Sequence, residues 1–135
     1  MLTKIDKLLS QKLDFAFETT LATKTYANTI LKAKDIGYHT VLVFFWLESV
    51  ELAIERVKSR VIEGGHNIPE PVIRRRYSGG IKNLFKLYFP ICDYWMIWNN
   101  SNPVSKLVAE GYANNDMDIK IIRNFETIKQ LSKDE

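Results

Sequence analysis

Apolar residues recur at three- and four-residue intervals in five stretches of the chain, and this spacing predicts amphipathic helices. One predicted helix has clear end signals, because Ser49 is suited to cap its start and Gly64 and Gly65 are suited to end it. The Ser78-Gly79-Gly80 interruption predicts a bend in the next helix, since glycine is a poor helix former. The predicted helices span about 2–13, 22–35, 50–63, 70–88 and 125–131.

Three other stretches are apolar without helical periodicity, and each predicts a buried strand. Asp14–Thr20 has a brief apolar run that ends in polar residues, Tyr38–Leu47 is apolar on both faces, and Tyr94–Trp98 ends in two asparagines. A strand that is apolar on both faces belongs in the middle of a sheet with helices on both sides. The order of elements therefore predicts an α/β fold with a doubly wound, mostly parallel sheet in three layers. Short edge strands are expected at 107–110 and 119–122.

Length and composition restrict the class of protein. A chain of 135 residues with 46% hydrophobic and 26% charged residues is typical of one folded domain, which we expect to span residues 1–135. The longest apolar run, Val41–Leu47, is far shorter than the roughly 20 residues of a membrane-spanning helix. The amino terminus lacks the pattern of a signal peptide, so a cytoplasmic location is expected. Cys92 has no neighbouring ligand residues at metal-binding spacing, and we expect it to pack in the core rather than bind a metal.

Positive charge is concentrated in one part of the chain. Between Ile54 and Lys82 there are seven Lys or Arg and three Glu, a local charge of +4, whereas the whole chain has +3 and the remainder therefore −1. A local surplus of this kind indicates an anionic partner, such as phosphate or nucleic acid.

The polar end of the first predicted strand is a candidate site, because ligands bind beyond the carboxyl ends of strands in doubly wound sheets. There Glu18 and Thr20 supply a carboxylate and a hydroxyl that are suited to orient a substrate hydroxyl. The alternative is that Glu18 is simply solvated and that Thr19 or Thr20 caps the following helix.

Two groups of arginines are candidate anion ligands. Arg56 and Arg60 lie four residues apart on one helix face, where their repulsion would be relieved by an anion. Arg74, Arg75 and Arg76 are consecutive, and arginine forks match the geometry of phosphate oxygens. The alternative for this second group is a solvated helix face.

Two longer segments together resemble a known family. The run DFAFETTLATKTYANTILKAKDIGYHTVLVFFWL, followed by SVELAIERVKSRVIEGGHNIPEPVIRRRYSGGIKNLFKLYFPICDYWMIWNNS, resembles the second part of zeta toxin kinases, with GGHNIP and RRRY as its most specific elements. The similarity covers roughly 8–111. The resemblance implies a P-loop kinase fold and the transfer of phosphate from ATP, with Mg²⁺, to a hydroxyl of UDP-N-acetylglucosamine.

The resemblance also implies roles for individual residues. Glu18 and Thr20 correspond to the substrate-side carboxylate and hydroxyl. Arg56 or Arg60 corresponds to the first arginine of a lid over the ATP phosphates, a region at about 56–76. Arg74 or Arg75 corresponds to a further phosphate-facing group, and Asn99 lies near the place where such folds hold adenine.

The chain also departs from the family pattern. It has no G-x-x-x-x-G-K-[ST] loop, no strand leading into one, and no following segment with the proton-accepting aspartate. In related kinases the missing strand lies between those ending at Glu18 and at Leu47. Either these two strands pair directly, or their apolar edges stay open and favour oligomers or complementation by another chain.

These features predict the carboxyl-terminal part of a zeta-toxin-like kinase that is inactive alone. Its expected partners are a nucleotide, a small hydroxyl substrate, and a missing amino-terminal half or an antitoxin protein, with no membrane. The alternative is a non-catalytic module that binds a nucleotide, a nucleic acid or a protein through its basic lid region. Nucleic acid is not the expected partner.

Overall fold

The computed structural model describes residues 2–113 and 116–133, which form five α-helices and four strands. The helices are α1 (Leu2–Ser10), α2 (Thr25–Asp35), α3 (Val50–Ile62), α4 (Glu70–Asn83) and α5 (Ile122–Lys133), and a π-helical turn (Leu84–Tyr88) extends α4. The strands are β1 (Val41–Trp46), β2 (Tyr94–Asn99), β3 (Lys106–Tyr112) and β4 (Met117–Ile119).

The local helix signals are confirmed at both ends of α3. The Ser49 hydroxyl accepts a hydrogen bond from the Leu52 amide at 3.1 Å, which satisfies one of the free N–H groups at the helix start. Gly64 has φ of +98° just after the helix, a conformation that glycine adopts without strain.

The four strands form one mixed sheet in the order β1-β2-β3-β4. β1 and β2 are parallel, whereas β2 with β3 and β3 with β4 are antiparallel. A mixed α/β fold is therefore confirmed, and the prediction of a mostly parallel sheet is wrong. The reason is that β2, β3 and β4 are consecutive strands joined by short connections, which favour antiparallel neighbours over parallel ones.

The prediction that Tyr38–Leu47 lies in the middle of the sheet is also wrong, because β1 is an edge strand. Its even-numbered residues face the core, and its odd-numbered residues face outward. Val41, Val43 and Phe45 are 52%, 42% and 58% exposed, which is unusual for apolar side chains on a strand. The structure therefore leaves one face and one edge of β1 uncovered.

The predicted strand at 14–20 is not formed. Phe15 and Phe17 are half-buried while their neighbours Asp14, Ala16 and Glu18 are exposed, an alternation that is typical of an extended chain. A strand requires hydrogen bonds to a neighbouring strand, and among the described residues this segment has none. Segment 14–20 therefore does not pair directly with β1, and the edge of β1 stays open.

The main core lies between the sheet and the helices that pack on one of its faces. It is built from large side chains of the sheet and of α4, the π-helical turn and α5, including Trp46, Ile81, Tyr88, Ile97 and Ile128. A smaller cluster joins α1 to α2 through Ile5, Leu9 and Ala33. Cys92 is buried, as expected, and burial raises the pKa of its thiol to about 11.

Within the described residues, no helix has both the length and the apolar character needed to cross a bilayer.

Candidate functional site

The glycines of α4 bring this helix unusually close to the loop that follows segment 14–20. A methyl group on Gly80 would collide with the main-chain oxygen of Thr20, and one on Gly79 would meet Ala22 at 3.7 Å. α4 continues through these glycines as an uninterrupted helix, and the bend there stays a prediction. The two glycines allow α4 to pack closely against the loop, and this packing compensates for their low helix propensity.

Two hydrogen bonds also hold this loop against α4 and against the π-helical turn that follows it. The buried Asn83 amide donates to the Leu21 carbonyl at 2.7 Å, and the Tyr88 hydroxyl donates to the Thr23 carbonyl at 2.7 Å. Because both acceptors are main-chain groups, the bonds fix the path of the backbone through the loop 20–23.

The loop and the first half of α4 border a shallow depression of about 410 Å³ that is open to solvent, here called the Thr20 cavity. Two threonines and two arginines are among the residues that line it, and arginine side chains suit an anion with several oxygen atoms. The lining residues are Thr20, Ala22, Thr23, Arg75 and Arg76.

The three consecutive arginines have different environments. Arg74 forms ion pairs with Glu70 at 3.0 Å and with Glu51 at 3.7 Å, so its charge is already compensated. Arg75 and Arg76 are exposed, and neither has an ion pair or side-chain hydrogen bond within the described residues. Of the two arginines predicted to face phosphate, the structure therefore leaves Arg75 available and uses Arg74 elsewhere.

Arg56 and Asn99 both bond to the turn that follows β2, and neither lines the Thr20 cavity. The Arg56 guanidinium donates to the carbonyls of Asn100 and Ser101 at 2.8 and 3.1 Å. The buried Asn99 side chain accepts a hydrogen bond from the Ser101 amide at 3.0 Å. In this structure both side chains hold the turn after β2.

Glu18 and Arg60 are exposed, and neither side chain has a hydrogen bond or ion pair in the part of the chain that the structure describes. Glu18 lies two residues before Thr20, whose hydroxyl accepts a bond from the Ala22 amide at 3.4 Å. The capping alternative is not realised by Thr19 or Thr20, because α2 begins only at Thr25.

Tyr77 connects this region to the end of β1. Its hydroxyl donates to the Leu47 carbonyl at 2.7 Å, and burial raises the pKa of this hydroxyl. Tyr77 and Gly80 lie one turn apart on α4, so one helix face contacts both the chain after β1 and the loop at Thr20.

Thr23 and Arg76 belong to the cavity but were not among the predicted site residues. Arg76 was part of the recognised arginine cluster, and only its surroundings distinguish it from Arg74. One sequence signal was available for that distinction, because Glu70 precedes Arg74 by four residues, the spacing of helical ion pairs. No sequence signal singles out Thr23.

The described residues contain no group of three His, Cys, Asp or Glu side chains that could hold a metal ion. The guanidinium groups of Arg75 and Arg76 are suited to phosphate oxygens.

Comparisons with known proteins identify a family for this chain. No solved structure matches this chain. An uncharacterized protein of Haemophilus influenzae is 32% identical over 69 residues, which are 51% of this chain and 49% of that protein. The alignment thus spans about half the length of the curated relative. The sequence model of the family named Zeta toxin matches residues 2–89, which is more than half of the chain. The chain therefore belongs to the zeta toxin family.

Proposed function

We propose that the chain binds the phosphate groups of a nucleotide in the Thr20 cavity and forms the lid and substrate side of an ATP-dependent kinase. The observation that carries this proposal is the presence of two uncompensated guanidinium groups, Arg75 and Arg76, beside two threonines in one cavity. Membership of the zeta toxin family supports a nucleotide as the ligand.

Each proposed contact has a simple physical role. The Arg75 and Arg76 forks donate paired hydrogen bonds to phosphate oxygens and compensate negative charge that develops during transfer. Glu18 lies on the exposed stretch leading to the cavity, where its carboxylate orients the acceptor hydroxyl of a small substrate. We propose a nucleotide sugar such as UDP-N-acetylglucosamine as that substrate.

The proposal includes a requirement for a second component. The 135 residues contain no glycine-rich phosphate loop, so nothing in them cradles the β- and γ-phosphates with main-chain N–H groups. Phosphoryl transfer depends on such positioning. We therefore expect this chain to bind ATP without turnover and to support transfer only with a polypeptide that carries the loop.

Calorimetric titration with ATP at low salt tests the binding step. Arg75→Ala should weaken binding about fivefold or more, because an exposed arginine–phosphate contact is worth about 1 kcal/mol. Arg74→Ala is the matched control, since it removes the same charge from the neighbouring position, where Glu51 and Glu70 already compensate it. Equal loss in both variants would indicate unspecific attraction to the basic segment and would contradict the Thr20 cavity as the site.

A transfer assay tests the catalytic step. Radiolabelled ATP and UDP-N-acetylglucosamine are incubated with the chain, with a fragment of a zeta toxin kinase that carries the glycine-rich loop, and with both together. Labelled sugar nucleotide is expected only with both. Binding of ATP without any transfer in the mixture would favour the alternative, a non-catalytic nucleotide-binding module.

A further inference from the structure

Leu21 has a main-chain conformation that leucine seldom adopts. Its φ is +62°, in the left-handed region, where the Cβ atom of an L-residue crowds a neighbouring carbonyl group. Strained conformations of this kind persist only where surrounding contacts hold them, and they concentrate at functional sites. Leu21 lies between Thr20 and Ala22, which both line the Thr20 cavity. The strained residue is therefore part of the loop that borders the candidate site.

The side chain of Leu21 anchors this loop in the main core. Leu21 is 4% exposed and belongs to the same apolar cluster as Ile81 and Tyr88. Thr20 and Thr23 are exposed, so the loop sends one side chain inward and leaves the two threonines at the surface. A buried apolar anchor resists any movement of the loop that would bring Leu21 into water.

The main-chain groups of Leu21 are also held by hydrogen bonds. Its amide donates to the Thr19 hydroxyl at 3.2 Å, and its carbonyl accepts the bond from the Asn83 amide group at 2.7 Å. Thr19 belongs to the same loop, so its bond shapes the loop without fixing its place. Asn83 is buried and lies on α4, so its bond is the one of the two that ties the strained residue to another element.

Asn83 and the two cavity arginines lie on the same helix. Arg75 and Arg76 precede Asn83 by eight and seven residues, which is about two helical turns. Because one helix carries all three residues, a bond from Asn83 to the loop also fixes the loop relative to the guanidinium groups. Asn83 is not among the residues that line the Thr20 cavity, so it acts on a ligand there only through the loop.

We propose that Asn83 and Leu21 are positioning residues, which hold Thr20 in place for a phosphate group bound by Arg75 and Arg76. The inference rests on the proposed function, because it assigns the two residues a role in the same nucleotide site. Without the bond from Asn83, Leu21 relaxes towards the favoured conformations with negative φ, and Thr20 leaves its place beside the arginines. A nucleotide then has to restore the strained conformation on binding, which lowers its apparent affinity.

ATP titration of Asn83→Ala distinguishes positioning from a purely structural role. Loss of a buried hydrogen bond lowers stability in either case, but only positioning changes the affinity of molecules that are folded. Thermal melts therefore set a temperature at which each variant is folded, and calorimetry is performed there. Asn83→Ala should bind ATP about fivefold more weakly than the parent chain, the equivalent of one hydrogen bond. An unchanged dissociation constant would overturn the proposal.

Tyr38→Phe is the matched control. It also removes a side-chain bond to a main-chain carbonyl, that of Leu13 at 2.8 Å, and neither residue lines the Thr20 cavity. Its affinity for ATP should equal that of the parent chain, and equal weakening in the two variants would indicate a general loosening of the fold and overturn the proposal.

A second variant applies if Asn83→Ala is not folded. Thr19 is exposed, and its hydroxyl holds the other main-chain group of Leu21, so Thr19→Ala releases the strained residue without opening the core. It should also weaken ATP binding. The same affinity as in the parent chain would contradict the positioning role.

A double-mutant cycle shows whether the effect passes through Thr20. Thr20→Val removes the hydroxyl that the loop is proposed to place, so Asn83→Ala should have little further effect in that background. Independent effects that multiply would mean that Asn83 does not act through Thr20 and would overturn the proposal. An ATP affinity that Thr20→Val leaves unchanged would overturn it too.

Hydrogen exchange without ATP tests the loop itself. In Asn83→Ala the amides of Leu21 and Ala22 should exchange faster, while those of β2 stay protected. Unchanged exchange in the loop would mean that Asn83 does not hold it and would overturn the proposal. Failure of the proposed function looks different: no affinity for ATP in the parent chain would reject the nucleotide site and the positioning role with it, whereas an unchanged affinity in Asn83→Ala rejects the positioning role alone.

Discussion

The contact between α4 and the loop at Thr20 predicts opposite effects for the same substitution at two adjacent glycines. Glycine costs about 1 kcal/mol relative to alanine within a helix, so replacing either residue should be favourable on propensity alone. At Gly80, however, a methyl group would lie inside the contact distance of the Thr20 carbonyl oxygen, whereas at Gly79 its nearest neighbour would be 3.7 Å away.

Whether Gly80→Ala raises or lowers the free energy of unfolding depends on whether the loop can move. Its backbone is held there by the hydrogen bond from Asn83 to the Leu21 carbonyl, so movement of Thr20 strains or breaks a buried bond worth about 1 kcal/mol. Overpacking of a core position typically costs about 1–3 kcal/mol. The sum exceeds the propensity gain, and Gly80→Ala should lower the free energy of unfolding by about 1–3 kcal/mol.

Urea unfolding of the two variants and the parent chain measures the effect. Gly79→Ala is the matched control and should raise the free energy of unfolding by about 0.5–1 kcal/mol, because its methyl group fits in ordinary contact. Gly80→Ala should also weaken ATP binding, since it displaces Thr20 from Arg75. If Gly80→Ala stabilised the chain as much as Gly79→Ala, the close approach of α4 to the loop would be refuted.

Three further predictions concern groups outside the candidate site. Asp93 accepts hydrogen bonds from the amide and hydroxyl of Thr40, and these lower the pKa of its carboxyl. The stability from this carboxylate is therefore present above the unfolded pKa of about 4 and is lost as the pH falls through the lower folded value. Asp93→Asn should flatten this loss in acid unfolding curves, and an unchanged curve would contradict the assignment. The Cys92 thiol, with its pKa raised to about 11, should resist alkylation at pH 8 until the chain unfolds, and rapid native labelling would contradict its burial. The hydrogen bond to Glu110 raises the pKa of Tyr94 to about 12, so spectroscopic titration of Tyr94→Phe should lack the tyrosine that ionises last.

The sequence determined the elements whose signals are local. The Ser49 cap, Gly64 and the helical spacing of apolar residues act within one or two turns, so α3 could be placed from sequence with small errors at its ends. The same holds for the strands β1 and β2, whose composition alone identifies them. The family could also be recognised from sequence, since it depends on runs of residues rather than on contacts.

The tertiary structure decided which faces and edges of these elements have a neighbouring element. The composition of β1 is that of a strand buried on both faces, but burial requires neighbours, and one of its edges has none among the described residues. For the same reason segment 14–20 has the alternation of a strand without its hydrogen bonds. Pairing is a property of two chain segments, which the composition of either one does not contain.

Tertiary structure also separated residues that look equivalent in sequence. Arg74 and Arg75 are adjacent and chemically identical, but Glu51 from α3 compensates the first while the second lies in the Thr20 cavity. Gly79 and Gly80 differ in the same way, because only one faces the Thr20 carbonyl. Helical rotation of about 100° per residue gives neighbours in sequence different surroundings in space, and those surroundings decide which residue is available to a ligand.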